Sequence, residues 1–421
     1  MIRMNETEAL EYLKQASVRG SRLGLARVAE LTERLGRPQD AVPAIHIAGT
    51  NGKGSVGAML AAVLRAAGYR TGHFATPALR SPSDCFQIGG IPVPPSVFAA
   101  AVTEVRACAE QMADPPTEFE LTAAAAFVIF RQQRCAVSVI ECCMGGDTDC
   151  TNVIKEPLLS VITNVQLEHC AFLGSTLAEI AGHKAGIIKQ NCPALTGCTE
   201  PEALDVIAAY AEKMSAPLFF PDDVPAVTAM SPEGTDCLSR DFGALRLGLA
   251  GLYQPVNAAL VLRAVQLLRR QGIRISGAAV REGLRVCRWP ARMELLRQKP
   301  YVLFDGAHNP DGMKQACGSF ARFFGETKQL SFVIGVMADK DYTQYPAMLR
   351  PFAAQIFTVM PDHPRALPAE RLAAVFAENG LPVRACASVS EAVRCALQSG
   401  NTVVGLGSLY LYREFCDALT E

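Results

Sequence analysis

Short apolar runs, each followed by a longer amphipathic stretch, recur along this chain. That rhythm belongs to βαβ units in mainly parallel sheets, because one parallel strand reaches the next only through a crossover, usually helical. Ala44–Ala48 reads as a strand that enters a glycine-rich turn and then a helix over roughly Ser55–Ala67. Val137–Glu141 and Leu159–Val165 read as two further buried strands. A second series follows Trp289, with strands at Val302–Asp305, Ser331–Val336, Gln355–Met360 and Thr402–Gly405. Between the two series, Pro221–Leu245 is rich in Pro, Gly, Asp and Ser and reads as turn-rich short strands. A boundary is expected near Trp289–Arg297, dividing the 421 residues into domains 1–294 and 295–421. The length suits two or three domains, and the last, of about 125 residues, is an ordinary domain size.

Composition excludes several classes. Half of the residues are apolar, 19% are charged and the net charge is −1, which argues against a disordered chain, a collagen-like repeat and a strongly basic nucleic-acid binder. The mean hydropathy of +0.17 owes much to alanine-rich stretches such as Ala123–Ala126. No uncharged apolar run reaches the ~20 residues of a spanning helix. The first residues, MIRMNETEALEYLKQ, are charged and helical in pattern, unlike a signal peptide. The fifteen cysteines are odd in number, form no CxxC pair and partly occupy apolar runs (Cys135, Cys317, Cys395). They are expected to be reduced thiols acting as small hydrophobes in a soluble cytoplasmic protein without a zinc site.

The first chemical signal is His46-Ile47-Ala48-Gly49-Thr50-Asn51-Gly52-Lys53-Gly54-Ser55-Val56. Glycines let backbone N–H groups close around phosphate oxygens, and the helix that follows adds its positive end. Lys53 would reach the β/γ-phosphates and the Ser55 hydroxyl would ligate Mg²⁺. The strict GxxxxGK[ST] spacing is not met, since Gly54 separates Lys53 from Ser55 and no glycine lies five residues before Gly52. A glycine-rich turn without a ligand is the alternative; ATP binding is the favoured reading. Glu141, closing an apolar strand, stands where a second strand beside a phosphate loop supplies a metal-side carboxylate. The polar loop Cys142–Asp149 follows it.

The stretch from Ser175 to Ile188 opens on a capping box, Thr176 with Glu179, so a helix should begin there. At 100° per residue Lys184 falls near the centre of an apolar stripe with Leu177, Ile180, Ala181, Ile187 and Ile188. A buried lysine needs a partner or must lose its charge. Taken alone, the pattern favours a lysine that snorkels to water. Glu168-His169, after the strand Leu159–Val165, offers another ligand at the same sheet edge, though a single histidine is more often structural.

Together these motifs resemble the folylpolyglutamate synthase and dihydrofolate synthase branch of the Mur ligase family. The resemblance runs through IAGTNGKGSV (47–56), GGDTDCTNVI (145–154), LGSTLAEIAGHKAGIIKQNCPALTG (173–197), YQPVNAAL (253–260) and WPARMEL (289–295). It continues through DGAHNPDG (305–312), ADKDY (338–342), PRALP (364–368) and GSLYL (407–411). Nine such segments in the family's order form a specific pattern. The resemblance implies an α/β protein with an N-terminal P-loop ATPase domain, a smaller Rossmann-like C-terminal domain and an active site in the cleft between them. Lys184 matches a lysine that the family carbamylates with CO₂, which would invert its charge. Ser55, Thr76, Glu141, His169 and the modified Lys184 would surround Mg²⁺. Gly49, Thr50, Asn51, Gly52, Lys53, Gly54 and Ser55 would hold ATP, with Asn257, Arg292 and Asp305 contacting the nucleotide. His308 and Ser408 lie in motifs that close over ATP and the incoming glutamate. Lys53, Lys184 and His308 are the catalytic candidates.

The chemistry so implied is phosphorylation of a folate carboxylate by ATP, followed by attack of the L-glutamate amine on the acyl phosphate. A carboxylate is a poor electrophile until it is phosphorylated, so Lys53, metal ions and loop amides must spread the transferring charge. Three departures from the family pattern stand out. Ala75-Thr76-Pro77 replaces Thr-Ser-Pro, Glu168-His169 replaces Asp-His, and Ser83-Asp84-Cys85-Phe86 lacks an arginine on the substrate side. GGDTDCTN also differs from the GGxLDATN form of bifunctional members, which favours addition to the γ-carboxylate of tetrahydrofolate over dihydropteroate. The alternatives are a dihydrofolate synthase or bifunctional enzyme, a P-loop kinase or NTPase, and a degenerate nucleotide-binding partner. The last predicts loss of Lys53, Glu141 or Lys184, and all three are present. A monomer binding folate and glutamate, with neither nucleic acid nor membrane as partner, is expected.

Overall fold

The computed structural model describes residues 3–420. The chain is α/β and separates into two compact units. Unit 1 comprises Met1–Val224, Arg240–Phe242 and Val256–Val286; unit 2 comprises Pro225–Ser239, Gly243–Pro255 and Cys287–Glu421.

Unit 1 is built on β1 (Ala44–Ala48), β2 (Thr71–Phe74), β3 (Phe86–Ile88), β4 (Ile91–Pro92), β5 (Val137–Glu141), β6 (Leu159–Ile162), β7 (Ala194–Thr196) and β8 (Leu218–Phe219). They form one sheet in the order β4-β3-β2-β5-β1-β6-β7-β8. Strands β2, β5, β1, β6, β7 and β8 run parallel, and β3 and β4 add an antiparallel edge. All five residues of β1 and of β5 are buried, as expected of central parallel strands covered on both faces. The helix Lys53–Ala66 begins two residues earlier than the sequence suggested and is buried continuously from Gly54 to Leu64. It can be apolar all round because helix Gly277–Val286 covers the side away from the sheet. Gly283 permits that approach: a Cβ there would lie 2.5 Å from Val63 Cα. The alanine-rich helix Glu118–Gln132 is buried from Glu120 to Phe130 except at Thr122.

Unit 2 holds two sheets. Pro221–Leu245, expected as short strands, gives β9 (Ala226–Ser231), β10 (Gly234–Ser239) and β11 (Gly243–Leu247), an antiparallel three-stranded sheet. The larger sheet contains β12 (Glu294–Gln298), β13 (Tyr301–Phe304), β14 (Leu330–Ile334), β15 (Ala353–Thr358), β16 (Val383–Ala385) and β17 (Thr402–Leu406). Its order is β12-β13-β17-β14-β15-β16, parallel except for the β12–β13 hairpin. Phe320, Phe332, Phe352, Tyr345 and Phe376 lie in its core. Among the described residues no helix is long and apolar enough to cross a membrane. All fifteen cysteines are free, and most are buried.

Candidate active site

The turn between β1 and helix Lys53–Ala66 is shaped by glycine and strapped down from the side. Gly49 has φ +148° and Gly52 has φ +86°, conformations that suit glycine. A Cβ on Gly49 would sit 1.9 Å from Thr163 Oγ1, and one on Gly52 2.7 Å from Asn257 Oδ1, so the loop has no room for side chains at either point. Residues just past β6 hold it: Thr163 Oγ1 donates to Asn51 O (2.6 Å), Asn51 N donates to Asn164 Oδ1 (2.8 Å), and Thr50 N donates to Asn164 O (3.1 Å). These bonds explain why β6 ends at Ile162 rather than Val165, since the following backbone turns from its neighbour strand to the loop. Lys53 Nζ donates to Gly49 O (2.8 Å) and Thr50 O (3.1 Å), which places the ammonium over the loop. Ser55 is buried in the first helical turn, and Asn257 lies beside the loop in helix Gln254–Arg270.

Glu141 ends β5, in register with Ile47 of β1, and is buried. Thr76 follows β2 on the other flank of β5 and shares a side-chain hydrogen bond with Cys143. Lys184 lies in helix Leu177–Ala185, whose capping box is the expected Thr176–Glu179 pair. Its side chain is only 2% exposed, so it does not snorkel to water. Burial, reinforced by the positive charge of Lys53, lowers its pKa to about 7, partly opposed by Glu168. His169 differs from Ser55, Thr76, Glu141 and Lys184. It is exposed, has φ +51° and lies 3.7 Å from Glu168 Oε1.

The donor set suits a hard divalent cation. Ser55 and Thr76 offer hydroxyls and Glu141 a carboxylate, and no group of three His, Cys, Asp or Glu among the described residues could hold a metal without other ligands. Mg²⁺ needs only one or two carboxylates beside phosphate oxygens and water, so this sparse oxygen set fits it.

In unit 2, Arg292, Asp305, His308 and Ser408 collect around the ends of β13 and β17. A Cβ on Gly306 would approach Arg292 Nη1 to 2.6 Å and Leu409 Cδ2 to 2.2 Å. Asp305 is buried and accepts from Tyr253 Oη (2.8 Å), Met293 N (2.7 Å) and Ala307 N (2.8 Å). Burial raises its pKa, and Arg292 counters that. Ala291 and Met293 both take positive φ, +57° and +46°, so Arg292 projects from a kinked backbone braced by Asp305. His308 Nδ1 lies 2.7 Å from Gly306 O and therefore carries a proton, leaving Nε2 as its other face. Ser408 Oγ accepts from Tyr410 N (3.2 Å).

The chain matches the Mur ligase middle domain over residues 47–212 and the Mur ligase glutamate ligase domain over residues 291–409. It is 36% identical over 362 residues to the dihydrofolate synthase/folylpolyglutamate synthase of Bacillus subtilis, covering 82% of this chain and 83% of that protein. The chain belongs to the Mur ligase family, in its folylpolyglutamate and dihydrofolate synthase branch. A Lacticaseibacillus casei folylpolyglutamate synthase is 35% identical over 87% of this chain and 88% of its own length. The Mycobacterium tuberculosis folylpolyglutamate synthase, solved with ADP and AMPPCP, superposes with a TM-score of 0.88 at 31% identity, over 99% of this chain and 98% of that one. The family and α/β fold expected from the motifs are therefore those found.

Sequence reasoning passed over several residues that build this Mur ligase site. Thr163 and Asn164 hold the phosphate loop, and a polar pair at the end of a buried strand was the available signal. Asp149, inside GGDTDCTN, is buried and accepts from Cys143 N (2.8 Å), Met144 N (3.0 Å), Thr151 N (3.0 Å) and Thr151 Oγ1 (2.6 Å). Tyr253, in the YQPVN segment, owes its role to Asp305, a partner 52 residues away.

Proposed function

We propose that this chain is an ATP-dependent ligase that joins L-glutamate to the γ-carboxylate of a tetrahydrofolate through an acyl phosphate. One observation carries the reading: a strapped phosphate loop beside Glu141 and buried Lys184, in a chain that follows a folylpolyglutamate synthase over 87% of its length. Bound Mg²⁺ would neutralise phosphate charge and align the transferring group. Ser55, Thr76, Glu141 and modified Lys184 are the residues to hold it, with His169 at their exposed margin. Lys53 and the amides of Gly49–Ser55 then stabilise charge on ATP, while Asn257, Arg292 and Asp305 orient the nucleotide. His308 and Ser408 attend the glutamate step.

Lys184 has the properties that carbamylation requires. With its pKa near 7 a large share of the amine is neutral at physiological pH, and its lone pair can form an N–C bond to CO₂ as a proton leaves. The carbamate anion would sit opposite the Lys53 charge that disfavours the ammonium.

A second reading, addition of the first glutamate to dihydropteroate, is favoured by the double name of the Bacillus subtilis relative. ADP release with ATP, Mg²⁺ and glutamate, comparing tetrahydrofolate with dihydropteroate as acceptor, separates the two. Release with tetrahydrofolate alone is the expected result. Release with dihydropteroate makes the enzyme a dihydrofolate synthase or bifunctional, and glutamate-independent release or silence with both refutes the proposal.

A further inference from the structure

We infer that His46 is a positioning residue for the ATP-using step: from inside β1 it fixes, through Thr151 and Asp149, the loop that follows Glu141. The inference rests on the ligase reading above and adds a residue to it. Every other residue of β1 is apolar, yet His46 occupies its centre with no exposure. Its Nε2 lies 2.9 Å from Thr151 Oγ1 and 3.1 Å from Cys142 Sγ.

The direction of the chain follows from the protons. Thr151 Oγ1 donates its only hydrogen to Asp149 Oδ1 at 2.6 Å, so toward His46 it can only accept. His46 Nε2 therefore carries the imidazole proton. The ring is neutral at any pH at which the enzyme would work, because burial, with a smaller push from Lys189, lowers its pKa to about 3. Asp149 Oδ2 in turn receives the backbone N–H groups of Cys143 and Met144, just past Glu141. The neighbouring Asn152 amide donates to Asp147 O (3.0 Å) and Gly186 O (3.2 Å), so the same loop is tied to the end of the Lys184 helix. One polar chain thus begins in the strand that feeds the phosphate loop and ends between the carboxylate and the lysine assigned to the metal side.

An apolar side chain would fill the same strand position without the penalty of burying an imidazole. What it could not supply is the N–H that fixes the Thr151 hydroxyl and, through it, the Asp149 carboxylate. Partners that touch a metal's own ligands typically change affinity or activity by roughly 10- to 100-fold when removed, and His46, acting through Thr151 and Asp149, belongs at the lower end of that range.

The test compares His46→Leu, His46→Gln, Thr151→Val and the His46→Leu/Thr151→Val double variant with the wild type. Glutamate-dependent ADP release is measured against Mg²⁺ concentration, and Mg²⁺–AMPPCP binding is measured by calorimetry. His46→Leu and Thr151→Val are each expected to lower kcat, weaken nucleotide binding and raise the Mg²⁺ requirement by roughly 10-fold or more, with the KM for glutamate unchanged. Glutamine carries an N–H at a reach similar to Nε2 and should recover most of the loss. The double variant should be little worse than either single one, because both break the same chain. Wild-type Mg²⁺ dependence in His46→Leu, multiplying losses in the double variant, or a His46→Gln as impaired as His46→Leu would each overturn the inference. Should the wild type release no glutamate-dependent ADP, the ligase reading fails while the calorimetric comparison still decides the role of His46.

Discussion

Lys184, His46 and His73 are ionisable side chains with almost no exposure, and in all three burial favours the neutral form. For Lys184 this leaves a nucleophilic amine, and Lys184→Ala is expected to abolish turnover, with partial rescue by a short carboxylic acid in the assay. Near wild-type activity would refute the carbamate role. Lys53→Ala should also be inactive, without rescue, because a carboxylic acid cannot replace an ammonium over the phosphates. For the histidines the consequence is acid lability. His46 and His73 titrate near 3 and 4 when folded, against an ordinary value of 6.5. Between those values the unfolded chain binds more protons, so stability is fully present above about 6.5 and is lost as pH falls toward 4 for His73 and toward 3 for His46, by on the order of a few kcal/mol for each. Urea midpoints of the wild type should fall more steeply over that window than those of a His46→Gln/His73→Gln variant. Parallel slopes would show that neither histidine is buried neutral. The place of Lys184 on an apolar stripe was legible from helical periodicity, but its burial was not, since the pattern alone favoured snorkelling to water. The role of His46 was not, because its partner Thr151 lies 105 residues away and only strand pairing brings them together.

At the scale of elements, what the sequence made plain was local. The β1–loop–helix unit, the Thr176–Glu179 cap and the strands of the second series all announce themselves within a few residues. Less legible was how the elements abut, which small residues decide. Helix Gly277–Val286 meets the phosphate-loop helix where Gly283 faces the Val63 backbone, so closely that a Cβ would lie only 2.5 Å from Val63 Cα. Backbone cannot yield as a flexible side chain can, so Gly283→Ala should force the helices apart and cost about 1–3 kcal/mol, read from denaturant midpoints. An unchanged midpoint would mean that the helices do not pack as described. Thr176→Ala removes a cap that accepts from Glu179 N, and should cost about 1 kcal/mol.

Across the whole molecule, fifteen free cysteines and two units with separate cores make folding independent of oxidation. Alkylation after unfolding without reductant should add fifteen groups, and any shortfall would reveal a disulfide. In the native protein Cys170, exposed, should react first. Cys143 is exposed as well, but desolvation and the neighbouring Asp149 carboxylate push its thiol up to about 12, which should slow it. The family was legible at this scale because nine short motifs kept their order over most of the chain. The division into units is harder to read, since Pro225–Ser239 and Gly243–Pro255 fall in unit 2 although unit 1 resumes at Val256.

The bonds that strap the phosphate loop also impose a timetable on synthesis. Thr50 and Asn51 find their partners at Thr163, Asn164 and Gln166, 112 to 116 residues further along. At about 5–20 residues per second, a ribosome takes several seconds to cover that distance after making the loop itself. Until then the glycines have nothing to brace against, and a nascent chain cut short near Cys150 carries every residue of the GTNGKGS motif without the means to grip a nucleotide. The bracing of the loop arrives late, when the end of β6 leaves the exit tunnel.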